Sequence, residues 1–130
     1  MSNHSAKEYL EILQKQNATW KKILELYKEE LELFSSKIRE INARSNTPQS
    51  YAEVAAYETL LQLQIQAIQE LSKDINDREL LLAQVLKQHT LDLKTLENKA
   101  AAEFQERFFV AGQRQATLKA GFRKLAPKYI

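Results

Sequence analysis

Cysteine is absent from the 130 residues, and glycine and proline occur only twice each. Each scarcity excludes something. Without sulfur there is no disulfide framework, no thiolate metal site and no cysteine nucleophile. Gly112 and Gly121 stand too far apart to build a phosphate-cradling loop, which needs several glycines close together. An all-β domain wants turn residues roughly every 8–12 positions, and long stretches of this chain have none. No run approaches the ~18 apolar residues that a membrane span requires. The N-terminus, Met1 to Glu8, has no basic start followed by an apolar core, so a secretory leader is not expected. The sequons at Asn3 and Asn17 then read as chance matches, and a cytoplasmic location is the expectation.

What is present is helix-forming sequence, 44% hydrophobic and 28% charged, of a length that suits one domain. Ser5-Ala6-Lys7-Glu8 fits a capping box, and nothing after it breaks a helix until about Ala43. Turn formers cluster at Arg44-Ser45-Asn46-Thr47-Pro48, with Thr47 suited to the N-cap and Pro48 to the first helical position. From Pro48 to Gly112 there is neither glycine nor proline. One helix of ~60 residues would be ~90 Å long, a length that belongs to coiled coils and bundles. The expected fold is therefore all-α: an elongated, coiled-coil-like antiparallel hairpin at 1–111, then a basic tail at 112–130. Its parts are a helix at ~5–43, a turn at ~44–48, a helix at ~49–111 and a short C-terminal helix from about Gln113 to Leu125.

Apolar spacing supports the hairpin. Leu10, Leu13, Asn17, Trp20, Leu24, Tyr27, Leu31, Phe34, Ile38 and Ile41 step by three and four, a heptad seam with one polar member. Ile12, Ile23, Leu26 and Leu33 beside it make a wider face than a two-stranded seam needs, as a bundle or a dimer of hairpins would use. The second seam runs through Leu61, Ile65, Ile68, Ser72, Ile75, Glu79, Leu82, Leu86, His89, Leu93, Leu96 and Ala100, nine of the twelve being apolar. Its polar stretch, Ser72 to Glu79, could be a turn, but the unbroken heptad phase favours one continuous helix. Folding at 44–50 sets Asn17 opposite Asp77 and Trp20 opposite Asp74, so the polar interruptions of the two seams meet. Asn17 is thus a candidate register-setting residue, the competing reading being a solvated polar position.

In that register residues 90–110 overhang the first helix, with an apolar stripe that water does not favour. Either the tail folds back over it or a second copy does, and homodimerisation is the expected outcome. The candidate oligomer interface is Leu93, Leu96, Phe104, Phe108 and Phe109.

Catalytic constellations are missing. His4 and His89 have no ligand-spaced partner, Glu29-Glu30 and Asp74/Asp77 read as solvated helix faces, and Ser35-Ser36 have no base at a recognisable spacing. No enzyme, cofactor, metal or small-molecule substrate is expected. Trp20, Tyr27 and Phe34 read as core packing. Charge is more informative. The net charge of +2 hides 13 Lys/Arg against 17 Asp/Glu through Glu106, followed by Arg107, Arg114, Lys119, Arg123, Lys124 and Lys128 with no acid. Such a segment could dock on its own helices, on an acidic protein, on nucleic-acid phosphates or, least favoured, on an anionic membrane surface. The expected function is structural or adaptor-like, through self-assembly or contact with another helical protein. The alternative is sequence-independent nucleic-acid binding through the tail.

Overall fold

A computed structural model describes residues 3–44, 46–88 and 99–129 of the chain, with side chains at 7–44, 46–84 and 102–129. All of these residues except Asn46 and Thr47 are helical. Helix α1 spans Asn3–Arg44, α2 spans Pro48–Gln88 and α3 spans Lys99–Tyr129. At 1.5 Å per residue, the 42 residues of α1 make a rod of about 63 Å.

The first reversal is built by the residues that the sequence marks for it. Thr47 caps α2 by accepting a hydrogen bond at Oγ1 from the Ser50 backbone N–H, 3.1 Å. Ser50 Oγ accepts from the Thr47 backbone N–H at 3.2 Å, so the cap is reciprocal, with serine in the place glutamate often takes. Pro48 fills the first helical position, where no amide hydrogen is needed. Beyond it, α2 runs unbroken through Ser72–Glu79.

α1 and α2 pack antiparallel, close to the expected register. The Asn17 amide nitrogen donates to the Ile75 carbonyl at 3.4 Å, and Lys21 pairs with Glu79 at 3.1 Å. The Arg78 guanidinium lies 5.5 Å from the centre of the Trp20 ring. Asn17 thus faces the polar stretch of α2, but Trp20 stands beside Arg78 and not Asp74, which pairs with Arg107.

The second half departs from expectation. The helix expected at 49–111 ends at Gln88, and the short helix expected at 113–125 is instead a 31-residue helix that begins at Lys99. α3 returns alongside α2 in the opposite direction, as Tyr57 to Leu118, Gln64 to Ala111 and Asp74 to Arg107 contacts show. It therefore runs parallel to α1, joining it through Trp20–Phe104 at 4.8 Å and Phe34–Phe122 at 5.1 Å between ring centres. Within the stretch expected to overhang, Phe104 and Phe108 are covered from within the chain. Gly112 and Gly121 do not break α3. They lie inside it where tyrosines press close: a Cβ on Gly112 would stand 3.2 Å from the Tyr27 hydroxyl, and one on Gly121 3.4 Å from the Tyr57 ring.

The second seam shifts with this closure. The inward residues of α2 are Leu61, Gln64, Ile68, Leu71, Ile75 and Leu82, so Gln64 and Leu71 replace Ile65 and Ser72, while Glu79 is exposed. A helix with two neighbours buries a wider arc than a hairpin helix, and α3 sets its centre. The core unites α1 residues Leu24, Leu31, Phe34 and Ile38 with α2 residues Ile68, Leu71 and Ile75 and α3 residues Phe104, Ala111, Leu118 and Leu125. Among the described residues, no helix is long and apolar enough to cross a membrane.

Candidate interaction surface

The six basic residues of the tail divide into two groups. Arg107 pairs with Asp74 of α2, Lys119 with Glu30 of α1 at 2.9 Å and Lys128 with Glu53 of α2 at 3.5 Å. Exposed pairs of this kind contribute about 0–1 kcal/mol each, so they orient α3 more than they hold it. The Glu30 pair has further support. A hydrogen bond from Lys119 holds its carboxyl below the usual range, and Gln115 donates to the same group at 3.2 Å. Arg114, Arg123 and Lys124 are exposed and have no anionic partner among the described residues.

The expected oligomer interface divides as well. Phe104 is buried, and Phe108 packs against Trp20 and Tyr27 at 5.9 and 6.4 Å. This corrects their assignment to an intermolecular face: α3 folds back and spends them inside the chain. Phe109, one residue on, points outward and is 61% exposed. Leu93 and Leu96 lie outside the described residues. Asn17 is 3% exposed and bonds across to α2, but its Oδ1 has no partner.

Sequence reasoning missed a polar layer through the middle of the bundle. Gln64 donates to the Ala111 carbonyl at 2.8 Å and to Gln115 Oε1 at 3.0 Å, and Gln115 donates to the Tyr27 carbonyl at 3.1 Å. The layer ties all three helices together. Next to it the Tyr57 hydroxyl donates to the Leu118 carbonyl at 2.9 Å, and burial pushes its pKa up to about 12. Both glutamines fall on the three-four spacing of their helices, and that spacing was the available signal.

Between α2 and α3 the outer surface opens into a groove of about 590 Å³, lined by Tyr57, Leu60, Leu63, Ala67, Leu118 and Gly121. Leu60 and Leu63 are 54% and 57% exposed on its rim. Its charged lining residues are Glu70 at one end and Arg114 partway along. Glu70 accepts a 3.4 Å hydrogen bond from Gln66 and has no cationic partner among the described residues. A second groove of about 470 Å³ follows α1 and α2 past Asn17, Lys21 and Glu79. No cluster of three His, Asp or Glu side chains able to hold a metal ion occurs among the described residues. The chain matches no family model, no curated protein and no solved structure, so its own geometry carries the functional argument.

Proposed function

We propose that the protein is a non-enzymatic structural or adaptor module that presents helical faces to other helices, in self-assembly or in a larger complex. One observation carries this reading. After the core is closed, large apolar side chains remain more than half exposed on every helix, and several are aligned. Leu60 and Leu63 share a face of α2 at i,i+3, while Ile12, Leu26 and Leu33 fall on one heptad line of α1. Single exposed leucines are ordinary, but aligned sets rimmed by charge suit a partner helix. A coiled-coil-like association, either a homodimer or a mixed bundle, would use them. Pairing of three tail cations with the protein's own carboxylates also favours a protein-facing role over a phosphate-facing one.

The test is site-specific photo-crosslinking in the cells that make the protein, with the photoreactive residue at Leu26, Leu33, Leu63 or Leu80. Covalent adducts to a protein chain from at least one position are expected. Adducts from none of the four would contradict the reading.

A further inference from the structure

We infer that the groove between α2 and α3 seats a second copy of this chain, docked about a two-fold axis that passes near Ala67. The inference rests on the protein-binding role proposed above and names both the surface and the partner.

The groove is lined by the small residues Ala67 and Gly121 and by Leu60 and Leu63, which stay more than half exposed. An apolar lining of this kind suits helix-on-helix packing, but it does not say what packs there. The charges do. Glu70 and Arg114 line the groove, both exposed and neither ion-paired among the described residues, although Arg107, Lys119 and Lys128 of α3 have found carboxylates. The reason is their level along the bundle. Cross-contacts from Tyr57 to Leu118, Gln64 to Ala111 and Gln64 to Gln115 put Arg114 beside about residues 61–64 of α2. Glu70 lies about two helical turns further along. Within one chain the two charges are thus offset along the groove.

A two-fold axis perpendicular to the helices exchanges levels on either side of itself. Placed midway, at Ala67, it sets Glu70 of each copy level with Arg114 of the other. One unpaired acid and one unpaired base then become two symmetric ion pairs, with Ala67 and Leu63 of both copies between them. Ala67, a small residue on the axis, allows the α2 helices to approach closely. The groove complements itself in charge, and a second copy is the partner that meets that condition.

Sedimentation velocity across a concentration series, with the full chain, tests this. The wild type should show a reversible monomer–dimer equilibrium. Glu70→Arg alone and Arg114→Glu alone each set like charges opposite one another, and each should weaken association by at least about tenfold. Mixing the two variants makes both contacts complementary again and should restore dimers to near wild-type strength. That rescue cannot come from a misfolded chain. A wild type that stays monomeric overturns the inference, and the adaptor reading then stands or falls on cross-linking to other proteins. A wild-type dimer that neither reversal weakens also overturns it, by placing self-association on another face while the adaptor reading survives. Weakening without rescue overturns the pairing of Glu70 with Arg114.

Discussion

Asn17 puts an amide where Leu13, Trp20 and Leu24 would lead one to expect a hydrocarbon, and only its nitrogen end finds a partner. An unsatisfied buried acceptor costs about 1–3 kcal/mol, so Asn17 lowers stability while tying α1 to the Ile75 level of α2. Asn17→Leu should raise the free energy of urea unfolding by about 1 kcal/mol, and a loss would show that the amide is better satisfied than its contacts indicate. Gln64, like Asn17, has an unpartnered oxygen, but its nitrogen donates to both Ala111 and Gln115, and Gln115 both accepts and donates. Gln115→Leu alone should cost about 1–3 kcal/mol, and adding Gln64→Leu should recover most of the loss, measured as a double-mutant cycle in urea. Tyr57 adds a pH dependence. Its folded-state pKa of about 12 exceeds its ordinary value, so burying the neutral phenol stabilises the fold fully below about pH 10. That stabilisation is lost as pH rises from there through about 12, at on the order of 1 kcal/mol per pH unit. Tyr57→Phe should be less stable at neutral pH by about 1 kcal/mol, for the lost bond to Leu118, but should lack this alkaline slope. Parallel slopes for the two proteins would rule out Tyr57 as the titrating group.

At the scale of elements, the first two helices were legible and the third was not. The Thr47-Pro48 start, the continuity of α2 through Ser72–Glu79 and the facing of Asn17 by α2 all follow from local chemistry and heptad phase. The reversal between α2 and α3 did not, because neither glycine nor proline stands between Pro48 and Gly112, while Gly112 looked like a break and is not one. Both glycines answer to tertiary packing, which no local signal reports. Gly121 illustrates the balance. Glycine inside a helix costs about 0.5–1 kcal/mol relative to alanine, and an added Cβ here meets Tyr57 at ordinary contact distance. Gly121→Ala should therefore raise the thermal midpoint. A fall would mean that the Tyr57 ring cannot give way. The groove was illegible for a related reason. α2 has leucines around much of its circumference, and which of them stay outside depends on where α3 lands. Leu60 and Leu63 could be called exposed only once Gln64 was known to face Ala111 and Gln115 on the core side.

For the whole molecule, the decisive fact is that one chain closes its own core. A hairpin with an overhang would need a second copy to cover Phe104 and Phe108, and dimerisation would then be a condition of folding. With α3 packed beside α1 and α2, those rings are covered within the chain and folding does not require a second copy to cover them. The basic tail changes meaning too: Arg107, Lys119 and Lys128 pair with carboxylates of α1 and α2, while Arg114, Arg123 and Lys124 remain outward. The direct measurement is a spin-label distance between cysteines placed at Thr59 and Thr117, exposed positions on α2 and α3 in a chain with no other cysteine. Labelled protein diluted in excess unlabelled chain reports distances within one molecule only. Helices packed 8–10 Å apart, with the label arms added, predict a narrow distribution at about 20–30 Å. A distribution centred beyond about 60 Å, as an unbroken helix from 49 to 111 would give, contradicts the three-helix fold.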